Sequence, residues 1–142
     1  LVKNRISHKI VGAVGRALTK QDFPKWYMYG NKDVPFKCGD CNDAVIVEDC
    51  PSACAVSNIL TGIAIMGTKL KSVQKSHLKP YKNLYICLDR DATIKAYDIA
   101  KDLRSSGFEN VIVKPLEDDL KYYDTEQIRR MFYGLKNDAR NS

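Results

Sequence analysis

Leu84-Tyr85-Ile86-Cys87-Leu88-Asp89-Arg90-Asp91 decides the fold, taken together with Ala44-Val45-Ile46-Val47-Glu48-Asp49 forty residues upstream. Each is a short apolar run without a polar interruption, the pattern of a strand buried on both faces in a parallel sheet, and each ends abruptly in acid. In an open α/β sheet the carboxyl ends of neighbouring strands face one crevice, where such folds bind ligands. Glu48, Asp89 and Asp91 are therefore expected to converge. Three carboxylates with no His nearby offer hard oxygen donors that suit Mg²⁺ or Mn²⁺ better than zinc. Such a centre points to phosphate chemistry. Acids also follow strands simply because loops are polar, but an Asp-x-Asp pair with a Glu one strand–helix–strand repeat upstream fits that explanation less well.

The chain has 142 residues, enough for one domain with a substantial core. With 44% hydrophobic and 28% charged residues it has the composition of a globular protein. Neither an apolar run near 18 residues nor a signal-peptide pattern occurs, so the sequence predicts neither a membrane span nor export. The first residue is Leu1 rather than Met, the expectation for an excised fragment. Five cysteines, an odd number, without a secretory signal predict reduced thiols in a cytoplasm. Cys38-Gly39-Asp40-Cys41 is half of a zinc knuckle and needs two more ligands. Cys50 and Cys54 are the nearest candidates, whereas Cys87 lies within a strand, where a thiol behaves as a small hydrophobe.

Charge is distributed unevenly. Residues 1–40 hold eight Lys or Arg against three Asp, while residues 41–142 hold fifteen against fourteen acids, for a net charge of +6. Between Asp49 and Asp89 no acid occurs, yet Lys69, Lys71, Lys75, Lys79 and Lys82 do. A basic rim around an acidic centre suits a polyanion whose reacting phosphate meets a metal; a solvated lysine face is the alternative.

Outside the two deciding stretches, Lys9–Leu18 and Lys25–Tyr29 read as strands of a small β-rich lead-in, closed by a polar connector over 32–43. Pro51 opens a helix expected to run to about Leu60, its amino end beside Glu48 and open to a phosphate. Ile63–Met66 is predicted as a strand ending at Gly67-Thr68, and Leu70–Leu78 as a helix with Leu70, Val73 and His77 on one face. Ala92–Ser106 carries an inward stripe of Ala96, Ile99, Ala100 and Leu103, and Asn110–Val113 supplies a further parallel strand. A helix over Asp124–Leu135 opens with a capping-box-like Asp124-x-x-Gln127 and a stripe of Ile128, Met131, Phe132 and Leu135.

Val45-Ile46-Val47-Glu48 followed by a helix, then Gly62–Thr68, then Leu88-Asp89-Arg90-Asp91, resembles the TOPRIM domain shared by DnaG-type primases, topoisomerases and some nucleases. Glu48-Asp49-x-x-Ser52-Ala53 with Gly67-Thr68 downstream is most similar to the TOPRIM proteins of bacteriophages. The resemblance implies a metal-binding acidic triad, here Glu48, Asp89 and Asp91, on a parallel four-stranded sheet flanked by helices. It extends into the lead-in, where Val11-Gly12-Ala13-Val14-Gly15-Arg16 and Pro24-Lys25-Trp26-Tyr27 resemble the segment preceding TOPRIM in DnaG-like cores. By that likeness Arg16 and Lys25 face nucleotide or template; the charge distribution adds Lys69 and Lys71 at the basic rim. Asp119 and Lys121 occupy matching places in a segment that resembles the Asp-Pro-Lys motif of phage TOPRIM proteins but departs from it, with Leu120 in place of the proline; the resemblance adds Asp119 to the metal ligands, and a solvated acidic loop is the alternative.

The division implied is a β-rich lead-in over 1–43, a TOPRIM domain over 44–123, and a carboxyl-terminal helix and tail over 124–142. The activity implied is that of a DNA primase core: metal-dependent synthesis of RNA primers from nucleoside triphosphates on single-stranded DNA, alongside a replicative helicase, in the cytoplasm of a host if the protein is viral. Ser52 stands where cellular primases tend to have Asp, and Ala92-Thr93-Ile94 where they have Gly. The triad alone leaves open a TOPRIM nuclease or topoisomerase-like protein. A non-catalytic DNA-binding replication module is the third possibility.

Overall fold

The computed structural model describes the backbone of residues 2–3, 10–16, 26–30, 34–66, 69–118 and 120–133, with side chains from residue 34 onward except at 121. The lead-in forms a three-stranded antiparallel sheet of β1 (Val2–Lys3), β2 (Ile10–Arg16) and β3 (Trp26–Gly30), in that order. Arg16 ends β2 opposite Trp26. This agrees with the β-rich start expected from the sequence.

The second sheet holds β4 (Phe36–Cys38), β5 (Ala44–Val47), β6 (Thr61–Ala64), β7 (Leu84–Ile86) and β8 (Val111–Val113) in the order β4-β6-β5-β7-β8. The last four run parallel to their neighbours, and β4 pairs antiparallel to β6. The α/β class holds, but the sheet is mixed and five-stranded rather than parallel and four-stranded. Phe36-Lys37-Cys38, expected in a polar connector, has found the open edge of β6.

Side chains along the strands alternate between two cores, as the period of two requires. Ala44, Ile46, Ile63, Leu84, Ile86 and Val111 pack with Ala96, Ile99, Ala100 and Leu103 of α2 (Thr93–Ser105). Val45, Val47, Ala64 and Tyr85 pack instead with α1 (Cys50–Ala55) and with Ile128 and Phe132 of α3 (Thr125–Tyr133). The Phe132 ring meets Tyr85 edge-on at 5.1 Å between centroids. At the start of α3, Asp124 and Gln127 form the expected reciprocal cap: Gln127 N–H donates to Asp124 Oδ1 at 2.8 Å, and Asp124 N–H to Gln127 Oε1 at 2.9 Å.

Three elements are shorter than their patterns predict. The helix after Glu48 stops at Ala55, and 56–60 continue as turns. The predicted helix over Leu70–Leu78 is a 3-10 segment, Ser72–His77, in which Val73 is 52% exposed while Gln74 is buried and accepts from Lys71 N–H at 3.0 Å. The strand after it ends at Ile86. Leu135 lies outside the described residues. Among the described residues no helix is long and apolar enough to cross a membrane.

Candidate functional site

The strand order creates the site. The chain leaves β5 into α1 on one face of the sheet and leaves β7 into α2 on the other, while β5 and β7 are neighbours. Their carboxyl ends therefore flank a topological switch point, the crevice in which open α/β sheets bind ligands. Glu48 follows β5 directly, and Asp89 follows the last residues of the β7 run. Asp89 N–H donates to Glu48 Oε1 at 3.0 Å, joining residues 41 apart in sequence. The two carboxyl groups also lie within hydrogen-bonding reach of each other.

Burial raises the pKa of Glu48; the hydrogen bonds from Asp89 oppose this, and the charges of Asp91 and Asp49 push it further up. Four acids thus gather at one sheet edge, and Glu48 bears the cost. The donors are all hard oxygens, which fits Mg²⁺ or Mn²⁺, and a divalent cation there would relieve the repulsion that Glu48 feels. The triad is nevertheless only partly assembled. Glu48 and Asp89 are paired, but Asp91 is exposed in the turn Arg90–Ala92 and reaches Glu48 through its charge. Among the described residues no three acid, thiol or imidazole groups stand close enough to share one ion.

The other predicted residues fall into two groups. Arg16 is placed by its backbone at the end of β2, with its side chain outside the described residues, as are Lys25 and Asp119 entirely. Lys69 and Lys71 are exposed, and Lys69 lines a cleft of about 380 Å³ with Leu70, Lys95 and Asp98. Of the other lysines in that run, Lys75 is committed: its Nζ lies 2.8 Å from Asp102 Oδ2 and donates to Ser106 Oγ at 3.0 Å.

The amino end of α1 is not open to a phosphate as its sequence implied. Asp49 caps it, accepting from Ser52 N–H at 2.9 Å, and Pro51 contributes no N–H. The cysteines also regroup. Cys38 comes within hydrogen-bonding reach of Cys54 on α1, with Cys50 nearby. Cys41 instead exchanges two backbone hydrogen bonds with Thr61 Oγ1 at 2.8 and 2.9 Å. Cys87 is buried in the sheet, as a strand thiol should be.

Two features of this edge escaped the sequence. Met66, just beyond β6, has φ of 57°, a left-handed conformation that costs a residue with a Cβ about 1–2 kcal/mol. Cys50 Sγ donates to its Sδ at 3.7 Å, tying this bend to the start of α1. Lys114 follows β8, its N–H donating to Ile86 O at 3.0 Å, so a cation joins the carboxyl edge beside β7. The signal for it was present, a basic residue directly after an apolar strand. Comparison with known proteins finds no matching family model, curated sequence or solved structure.

Proposed function

We propose that the chain is the catalytic core of a bacteriophage-type DNA primase of the TOPRIM class, which builds RNA primers on single-stranded DNA from nucleoside triphosphates. The observation that carries this reading is the Asp89 N–H to Glu48 Oε1 bond, which brings acids from two strand ends together at the switch point. In this reading Glu48, Asp89 and Asp91 hold Mg²⁺ or Mn²⁺, with Asp119 as a further ligand. The bound ion would orient the triphosphate and offset the charge that develops when a 3′-hydroxyl attacks the α-phosphate.

The protein's own residues do the positioning. The backbone N–H of Asp89 fixes one oxygen of Glu48 beside the crevice. Lys69 and Lys71 on the β6 side and Lys114 on the β8 side supply cations to the flanking phosphates, which contact charge rather than base and so give no sequence preference. Arg16 and Lys25 serve nucleotide or template from the lead-in. A helicase and a zinc-bearing template reader are the partners that such a core works with.

The test is incubation with labelled nucleoside triphosphates, Mg²⁺ or Mn²⁺ and single-stranded DNA, with new oligonucleotides and cleaved template resolved on one gel. Primer synthesis is expected, and Asp89→Asn is expected to abolish it with the fold intact. Synthesis retained by Asp89→Asn sinks the assignment. Template cleavage without new product replaces it with a nuclease.

A further inference from the structure

Helix α2 has two outward flanks of different chemistry. At 100° per residue, with Ala96, Ile99, Ala100 and Leu103 turned inward, Lys95, Asp98 and Asp102 fall on one flank and Tyr97, Lys101 and Arg104 on the other, with Ile94 at the crest. The first flank is internally compensated. Asp98 shares a cleft with Lys69 and Lys95, and Asp102 forms an ion pair with Lys75 at 2.8 Å. The second carries no acid, and it exposes two large apolar side chains, Ile94 at 79% and Tyr97 at 53%. Isolated exposed hydrophobics are ordinary. An aromatic interleaved with cations, beginning one turn beyond Asp91, is a more particular arrangement.

We propose that the flank of α2 formed by Ile94, Tyr97, Lys101 and Arg104 is a track for single-stranded DNA leading from the acidic crevice. The proposal rests on the polynucleotide reading of that crevice. An unpaired base can stack on Tyr97, and Lys101 and Arg104 neutralise the phosphates that follow. Arg104 is already oriented: its Nη2 donates to Val111 O at 2.6 Å, using one of five N–H groups. From Ile94 to Arg104 the helix rises about 15 Å at ~1.5 Å per residue. That spans about four nucleotides at the ~3.4 Å spacing of stacked bases along one strand. A duplex hides its base faces and has nothing to stack on Tyr97.

The test is fluorescence anisotropy of the full chain with a labelled single-stranded oligonucleotide in EDTA, across a salt series. Tyr97→Ala is expected to weaken binding about 5- to 150-fold, the equivalent of one stacked base, while Tyr97→Trp retains it. Lys101→Ala is expected to reduce the slope of log affinity against log salt by about 1. Lys95→Ala on the compensated flank serves as the control, and all these side chains are exposed enough for the fold to tolerate their loss. Wild-type affinity and salt slope in both Tyr97→Ala and Lys101→Ala, or no binding of single strands by the parent chain, overturns the proposal and leaves the flank to a protein partner. Because EDTA removes any metal, loss of the primase assignment through Asp89→Asn leaves this outcome separately readable.

Discussion

Gly62→Ala tests how closely the first helix is laid on the sheet that carries the site. Gly62 sits in β6, on the face covered by α1, and a Cβ there would lie 2.5 Å from Ala53 Cα and 2.6 Å from Ala53 C, with Ala53 O nearer still. Carbon atoms at rest stand about 3.5–4.0 Å apart, so roughly 1 Å of movement is required. All three obstructing atoms are backbone, and no rotamer change can supply it. Helix α1 must move as a body. Overpacking costs about 1–3 kcal/mol and occasionally more; this clash belongs at the upper end, while the lower entropy of the unfolded Ala chain returns about 0.4–1 kcal/mol. A net loss of about 2–3 kcal/mol lowers Tm by roughly 5–10 °C for a domain of this size. Gly107→Ala is the internal control. Nothing lies within 4 Å of its Cβ position, and only its φ of +100° opposes the substitution, which limits the loss to about 1–2 kcal/mol. Scanning calorimetry of both variants reads the difference. Because Asp49 and Glu48 immediately precede α1, the displacement also disturbs the 3.0 Å contact with Asp89, so the stabilisation by Mg²⁺ that the proposed function predicts should fall with Tm. A Gly62→Ala protein melting within about 2 °C of the parent, or above Gly107→Ala, refutes this packing.

Two further outcomes follow from the ionisable groups. Glu48 has a folded pKa above its unfolded one, chiefly through burial, so the stability it contributes is fully present below the unfolded pKa and is lost as pH rises through the folded value. Glu48→Gln keeps the acceptor for Asp89 N–H but not the charge; in EDTA it should be more stable than the parent at pH 7 and lose that advantage in acid. Mg²⁺ at a hundredfold excess over Kd should add about 2.7 kcal/mol to the parent and much less to the variant. Lower stability of Glu48→Gln at pH 7 in EDTA, followed by thermal melts over pH, would contradict the crowding of acids. Cys54 is exposed, yet burial and its hydrogen bond with Cys38 push its thiol up to about 11 from 9.0, which leaves about a hundredfold less thiolate at pH 8. Iodoacetamide should label it correspondingly slowly, and faster after Cys38→Ala; labelling at the rate of a free thiol in a peptide counts against the Cys38–Cys54 pairing.

What the sequence made legible was whatever a single element decides for itself. Val45, Val47, Ile46 and Ala44 announce a strand buried on both faces, and Ala96, Ile99, Ala100 and Leu103 announce which side of α2 is inward. The cap at Asp124 and Gln127 is equally local. Elements that exist because of a distant partner were not legible. Phe36-Lys37-Cys38 has no strand pattern of its own and becomes one by pairing with β6. The 70–78 segment has helical spacing, but Val73 faces solvent and the buried Gln74 satisfies the Lys71 N–H instead. Likewise Cys38 and Cys41 are close in sequence, but β4 and α1 carry Cys38 toward Cys54.

The acidic site shows the same division within a single pair of residues. That Glu48 and Asp89 end strands could be read from apolar runs terminating in acid. That they meet depends on strand order, for which neither run carries a signal. Had the chain wound β5, β6, β7 and β8 in sequence order, β6 would separate the two acids. Two inter-strand steps of about 4.8 Å would then stand between their strands, too far for a backbone N–H and a carboxylate to bond directly. In the observed order the connection after β6 crosses back over β5, so β5 and β7 are adjacent and one step suffices. The 3.0 Å bond from Asp89 N–H to Glu48 Oε1 is therefore a consequence of that reversal. It is also why the crevice opens between these two strands, where α1 and α2 leave on opposite faces of the sheet.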